Sequence, residues 1–270
     1  MPDARACCVQ DGTLKKGIMV MTDNRHDIFR AFEGNSFRFN CYKGISCFTK
    51  CCARLQLVLT PYDVIRVKNR LGFHSQEFLE RYTDTILKDR MKFPVVILKM
   101  NDDKEKRCPF VSPDGCVIYD DRPGACRLYP LARASTMANL KAGIQEKFFM
   151  VKEPHCMGFK ENRLWSLDEW LNHEGLKQYS EMNNKWIEIV TSDKDLGSDV
   201  DVTKKIQMFF MASYNLDRFR EFVFHSSFFS HFFEDSKKID RLKYDDVELM
   251  LFAFDWLKFS LYGEPTMTPM

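Results

Sequence analysis

No run of about 18 apolar residues free of charge occurs in this 270-residue chain, so no membrane-spanning helix is expected. Apolar runs are short, and that from Phe93 to Leu98 is the size of a strand. Glycine (12) and proline (10) are sparse, which excludes collagen-like and linker-dominated architectures. Charge of one sign is also lacking. Lys and Arg number 40 against 38 Asp and Glu, a formal net charge of +2, and this removes the case for a generic binder of nucleic acid or anionic membrane. Basic runs such as Lys104-Glu-Lys-Arg107 and Lys237-Lys238 are short and read as solvated faces, so no nucleic-acid partner is expected. The opening MPDARACCVQDGTLKKG has no apolar core behind a basic start, as a secretory signal would, and the closing GEPTMTPM carries no lipidation box. No internal repeat and no glycine-rich strand–loop–helix fingerprint is present. A cytoplasmic location follows as an expectation. In that reducing compartment clustered cysteines serve more often as metal ligands or redox groups than as structural disulfides.

Apolar residues at 45% and charged residues at 29% fit a folded protein rather than a disordered one. Two counts stand out, 24 Phe and 10 Cys. Half of the phenylalanines lie between Phe209 and Phe259, which points to a bulky aromatic core there; an aromatic ligand pocket is the less favoured reading.

Three regions are expected along the chain: an N-terminal arm over 1–38, a cysteine-bearing region over 39–160 and a helical region over 161–270. Thr60-Pro61-Tyr62-Asp63 predicts a helix start that runs to Leu71 and stops at Gly72, with Val64, Val67 and Leu71 as its buried stripe. Ser75 opens a second helix carrying Phe78, Leu79, Tyr82 and Ile86. Alternating Leu55, Leu57 and Leu59 predict a short strand, and Phe93–Leu98 and Gly143–Val151 two more. Cys108 to Tyr119 reads as a hairpin with Pro113-Asp114-Gly115 at its tip. Ser166-Leu-Asp-Glu169 is a capping box, followed by Leu176, Tyr179, Trp186 and Val190 at helical spacing. Residues 197–201 read as a loop, and 203–235 and 245–262 as helical. Val247, Met250, Leu251, Phe254 and Leu261 form one face of the last helix. The fold class is α+β: a small, irregular cysteine-rich half with short strands and a mainly helical half, helix exceeding strand.

Eight of the ten cysteines fall between residues 41 and 156. In chain order they form two groups: Cys41, Cys47, Cys51 and Cys52, then Cys108, Cys116, Cys126 and Cys156. Thiolates gathered this closely repel one another unless a cation absorbs the charge, and soft sulfur ligands select zinc, iron–sulfur clusters or cuprous copper. Cys47 and Cys51 are spaced as one zinc knuckle, but Cys108, Cys116 and Cys126 are too far apart to supply the second. Adjacent Cys51 and Cys52 are awkward for one tetrahedral ion. Irregular spacing suits loops wrapped around a larger cluster, so an iron–sulfur cluster is slightly favoured over one or two zinc ions. Buried core thiols are the competing account, and it strains to cover eight cysteines. Cys7 and Cys8 have no neighbouring partner and read as ordinary residues.

The box Cys41–Cys52, followed by Leu59-Thr60-Pro61-Tyr62-Asp63, resembles the cysteine-cluster proteins of the YkgJ-like, CxxCxxCC-type family of zinc- or iron-chelating domains. So does the longer string Cys108-Pro-Phe, Gly115-Cys116-Val-Ile-Tyr119, Arg122-Pro123, Cys126-Arg127-Leu-Tyr129-Pro130. The resemblance covers roughly 39–160. It departs at the first box, where this chain has gaps of five and three residues in place of two. The resemblance implies metal chelation. One branch, the flagellin lysine N-methylases, uses an iron–sulfur cluster with S-adenosylmethionine.

Arg122 and Arg127 flank the second group and are candidate donors to a negatively charged cluster; pairing with Asp120 or Asp121 is the alternative. His155, beside Cys156, is either a ligand or an ordinary histidine. Tyr119 and Tyr129 are expected to pack over the site. Three function classes result: a metalloprotein holding an ion or cluster, a cluster-dependent enzyme, and a metal-delivery or interaction module whose helical C-terminal region docks a protein partner.

Overall fold

The computed structural model describes residues 28–87, 91–139, 143–197 and 199–270. Cys7 and Cys8, and the arm up to Asp27, lie outside the described residues. Helix exceeds strand, and the architecture is α+β.

Strands β1 (Phe29–Ala31) and β2 (Ser36–Arg38) precede the first cysteine of the clusters, and β3 (Val58–Leu59) is what the Leu55–Leu59 alternation yields. Helix α1 (Pro61–Leu71) starts and stops on its own residues. Asp63 accepts the Thr60 N–H at 2.8 Å, Thr60 Oγ1 accepts the Asp63 N–H at 3.3 Å, and Gly72 closes the helix at φ +72°. Helix α2 (Ser75–Tyr82) has His74 at its N-cap position, with no side-chain capping bond, and ends before Ile86, contrary to expectation. Thr83–Ile86 is β4, paired antiparallel with β5 (Val95–Leu98), because β-branched Thr83, Thr85 and Ile86 fit a pleated surface better than a helix. β6 (Val111–Ser112) and β7 (Gly115–Cys116) make the expected hairpin, with Gly115 at φ +119°.

Helix α3 (Gly124–Leu128) leads into β8 (Leu131–Asn139), a strand the sequence reading lacked, paired with β9 (Gly143–Val151). β10 (Leu164–Ser166) feeds α4 (Leu167–His173) through the Ser166–Glu169 capping box. In α5 (Leu176–Val190) the buried residues include Leu176, Tyr179, Trp186 and Ile189, with Ile189 rather than Val190 closing the stripe.

The expected 203–235 helix is two helices, α6 (Asp199–Ser213) and α7 (Leu216–His225), broken where the Asn215 N–H turns back to the Phe210 and Met211 carbonyls. α6 begins inside the segment read as a loop. β11 (Phe232–Phe233), α8 (Ser236–Leu242), α9 (Asp246–Tyr262) and β12 (Thr268–Pro269) complete the chain. Among the described residues, no helix is long and apolar enough to cross a membrane.

The contacts form two compact units, each discontinuous in sequence. One takes the chain up to Leu57 with Met100–Ile187; the other takes Val58–Lys99 with Glu188–Met270. The first holds the β1-β9-β8 sheet, the β10-β2 pair and the β6-β7 hairpin. Its aromatic core is Phe37, Phe39, Trp165 and Trp170, with ring centroids 5.2–5.7 Å apart for Trp165–Trp170, Phe37–Trp170 and Phe39–Trp170. The indole N–H groups are satisfied: Trp165 donates to the Phe39 carbonyl at 2.9 Å and Trp170 to the Leu128 carbonyl at 3.1 Å.

The second unit holds the β3-β5-β4 sheet and the phenylalanine-rich helices. Phe219, Phe228, Phe252 and Trp256 interlock, with Phe219–Trp256 centroids at 5.4 Å and Phe228–Phe252 at 5.7 Å, so these rings are core. α9 buries more than the single expected face. Leu249, Phe252, Ala253, Trp256 and Leu257 are buried along with Met250 and Phe254, the pattern of a helix surrounded by core.

Charge is buried in this unit as well. Lys68, 4% exposed, donates to Asp246 at 2.8 Å; Arg220 reaches the other Asp246 oxygen at 2.5 Å and Asp217 at 3.1 Å; Asp217 accepts the Ser75 N–H at 2.5 Å. Burial works against both carboxylates. The hydrogen bonds from Lys68 and Arg220 to Asp246, and from Ser75 to Asp217, outweigh it and hold both below the usual carboxylate range.

A carboxylate held down in this way stabilises fully above its unfolded pKa, about 3.9, and loses that contribution as pH falls through its folded value. Wild-type stability is therefore expected to drop on acidification below about pH 4, and Asp246→Asn to flatten part of that drop. Asp246→Ala leaves buried Lys68 without a carboxylate and Arg220 with Asp217 alone, and is expected to cost about 3 kcal/mol. Urea unfolding of both variants across pH checks this.

Candidate metal centre

All eight clustered cysteines belong to the first unit. Cys41 leaves β2 along a braced path. The Phe39 N–H donates to the Arg163 carbonyl at 2.9 Å and the Asn40 N–H to the Gly158 carbonyl at 3.1 Å. Gly158 is needed at that crossing, since a Cβ there would lie 2.5 Å from the Phe39 ring and 2.9 Å from the Asn40 carbonyl. From Tyr42 to Cys52 the chain is a succession of tight turns: Ile45 N–H to Tyr42 O, Phe48 to Ile45, Lys50 to Cys47 and Cys52 to Thr49. Gly44 at φ +110° and Thr49 at φ +65° permit them. Such turns gather side chains that a helix or strand would fan apart.

The two sequence groups are stitched through the backbone. The Cys108 N–H donates to the Cys52 carbonyl at 2.8 Å, and the Arg54 N–H to the Lys106 carbonyl at 2.8 Å. The hairpin carrying Cys116 is tied to the first loop by Lys43–Asp114 at 2.6 Å. Cys126 sits half-buried on α3, its N–H donating to the Pro123 carbonyl at 2.9 Å. Cys156 ends a turn in which its N–H donates to the Glu153 carbonyl at 3.0 Å, and the next N–H, of Met157, points at Cys47 Sγ, 3.2 Å away.

Electrostatics sort the thiols differently from chain order. Cys41 is the exposed member, yet lost hydration followed by Cys51, Cys47 and Cys156 pushes its thiol up to about 11. Cys51 is driven up by the contact with Cys52, Sγ to Sγ 4.0 Å, then by burial and by Glu153. Cys156 is raised by burial, with Tyr129 opposing and Cys47 and Cys51 adding to the rise. Cys156 therefore belongs with the first group in space. Cys108 and Cys116 form the other neighbourhood. Burial pushes Cys108 up to about 11, with Cys116 contributing; burial also raises Cys116, and Arg122 offsets part of that.

Arg122 and Arg127 converge on Glu174, which the sequence reading did not single out. The Arg122 guanidinium pairs with the Glu174 carboxylate, the two side chains 11% and 6% exposed, and Arg127 donates to the Glu174 carbonyl at 2.8 Å. Arg127 also donates to the backbone carbonyl of Asp120. Glu174 is within electrostatic reach of Cys41 as Arg122 is of Cys116. An acid just past a helix end carries no local signal for such a role. Tyr129 is packed against Cys156 as expected, whereas Tyr119 is 57% exposed and stacks under Arg122, 3.7 Å from guanidinium carbon to ring centre.

Among the described residues, no three His, Cys, Asp or Glu side chains stand close enough to hold a metal ion as they are. The donors nonetheless fit one. They are soft thiols brought from distant segments, and beside them Glu153 Oε2 and His155 Nε2 are buried without a hydrogen bond, 3.4 Å from each other. Residues 40–157 match the family model CxxCxxCC, described as a putative zinc- or iron-chelating domain. This stretch is similar to a CxxCxxCC domain. No curated protein and no solved structure matches the chain.

In this stretch the raised thiols hold their protons at neutral pH, and a metal must displace them. Metal binding is expected to release protons and to tighten with pH between 6 and 9, by about tenfold per unit for each proton released. Competition titrations with a chromophoric chelator at several pH values measure the slope.

Proposed function

We propose that the protein holds an iron–sulfur cluster, or alternatively one or two zinc ions, through Cys41, Cys47, Cys51, Cys52, Cys108, Cys116, Cys126 and Cys156. The observation that carries this reading is the mutual influence of Cys41, Cys47, Cys51 and Cys156, four thiols gathered from segments more than a hundred residues apart in sequence. Cys52 beside Cys51 brings that neighbourhood to five thiols, one more than a tetrahedral zinc takes. The surplus supports a cluster or a second ion. Cys108, Cys116 and Cys126 supply further sulfur on the hairpin and α3.

When bound, the metal supplies a positive charge that keeps the thiolates deprotonated and links loops that have little regular structure. That linkage is worth on the order of 10 kcal/mol in small zinc domains. The residues around it divide the work. Gly158 and the Trp165–Phe39 hydrogen bond brace Cys41. The Cys108–Cys52 backbone bond holds the two loops together. Arg122, anchored by Glu174, lowers the cost of a thiolate at Cys116. A cytoplasmic setting, where these thiols stay reduced, completes the reading.

Anaerobic purification followed by elemental analysis and a visible spectrum tests it. Iron with inorganic sulfide and a brown chromophore is expected; colourless protein with stoichiometric zinc selects the alternative, and less than one metal per chain overturns both. Cys116→Ser and Cys126→Ser are each expected to lower metal content and melting temperature, and Cys7→Ser and Cys8→Ser to change neither. Equal loading in all four variants would remove Cys116 and Cys126 from the ligand set.

A further inference from the structure

We propose that the cysteine-bearing unit carries a second binding site, an open cleft for a small organic anion, in which Lys50, Arg54 and Arg107 take the charged head and Phe48 takes an apolar body. This goes beyond the metal-binding reading.

Among the described residues, three that are not glycine have a left-handed backbone: Thr49 at φ +65°, Arg54 at φ +55° and Lys106 at φ +51°. All three border one cleft of about 870 Å³. Thr49 and Arg54 line it, and Lys106 stands between two residues that do, Glu105 and Arg107. Such backbone is disfavoured for any residue with a Cβ, and most of all for β-branched threonine. Strain of this kind concentrates at surfaces with a function.

The strained backbone decides where the cations go. Residues 52–54 and 106–108 run side by side, with the Cys108 N–H donating to the Cys52 carbonyl and the Arg54 N–H to the Lys106 carbonyl, each at 2.8 Å, and Ala53 opposite Arg107. In regular strands Arg54 would point to the face away from Ala53 and Arg107. Left-handed residues at 54 and 106 break that alternation, and Arg54 and Arg107 line the same cleft. In the first cysteine loop the consecutive residues Phe48, Thr49 and Lys50 all line it too, about the left-handed Thr49. Three cations from two chain segments are thus brought to one cleft.

Two carboxylates line the cleft as well, and both are engaged. Glu105 pairs with Nε and Nη2 of Arg107, and Glu153 lies against His155 at 3.4 Å. Arg54 Nη2 donates to the Lys104 carbonyl at 3.1 Å, which anchors its guanidinium. Lys50 Nζ and Arg107 Nη1 have no partner among the described residues. Cations therefore outnumber carboxylates, and the uncommitted donors are positive, so the cleft suits an anion and not a metal ion. A phosphate or carboxylate head accepts from both donors in charge-assisted hydrogen bonds. The Phe48 ring is held in place by the hairpin, where a Cβ on Gly115 would come within 3.3 Å of it, and Val111 and Pro113 extend the apolar wall. An anion with an aromatic body gains this surface, which an inorganic ion cannot use.

Titration calorimetry of the full chain with phenyl phosphate, phthalate, inorganic phosphate and benzyl alcohol tests the proposal. At least one of the two aryl anions is expected to bind about tenfold or more tightly than inorganic phosphate, and benzyl alcohol not at all. The tighter of the two tells a phosphate head from a carboxylate head. Lys50→Ala and Arg107→Ala, both at exposed side chains, are each expected to weaken binding about tenfold, the worth of one charge-assisted hydrogen bond. Lys177→Ala, at an exposed cation of α5 outside the cleft, is expected to change nothing. No binding of either aryl anion overturns the proposal. So does affinity kept within twofold in both cleft variants, or an equal loss in Lys177→Ala, which would mark diffuse attraction to the surface.

Discussion

Like charges cannot be crowded into a place with little water, and the cysteine-bearing unit is organised around that constraint. Its thiols are close enough to raise one another, and without a cation they meet the constraint by keeping their protons. A soft metal ion offers the other solution, because it exchanges those protons for one shared positive centre. The rest of the unit is consistent with a chain that must accept either state. Most of its cysteines ride on turns and a two-residue-loop hairpin, and backbone hydrogen bonds pin those turns.

Rigidity comes from the aromatic core beside the loops. Trp165 and Trp170 each bury a ring and spend the indole N–H on a carbonyl next to cysteine-bearing chain, at Phe39 and at Leu128. The arginines act in the same spirit. A guanidinium free in solvent would be screened and mobile, but Arg122 is held by a buried carboxylate and so presents a fixed charge to Cys116. A buried pair of this kind is weak evidence for stability, since its desolvation cancels much of its attraction. Its value lies in where it fixes the charge.

The second unit solves an unrelated problem by ordinary means. Interlocked rings and a helix surrounded by apolar neighbours supply its core, and a balanced set of two cations and two carboxylates, Lys68, Arg220, Asp217 and Asp246, joins α1, α2, α7 and α9. Nothing in that arrangement calls for a metal, in contrast to the thiol loops.

What the amino-acid sequence determined alone was local. The Thr60–Asp63 and Ser166–Glu169 caps, the Gly72 stop and the Pro113-Asp114-Gly115 turn depend on residues within four positions of one another, and the structure has them where the sequence puts them. The chemistry of the site was legible too, because cysteine is rare and eight in one stretch admit few explanations. Where the chain could choose between local preference and a partner, the partner won: Thr83–Ile86 left the helix for β5, and the alanine-rich β8 became a strand by pairing with β9. The neighbours of the thiols were likewise decided only in three dimensions. Cys156 stands with the first group and Arg122 is held by Glu174, because each depends on which distant backbone segments cross, and spacing along the chain carries no record of a crossing.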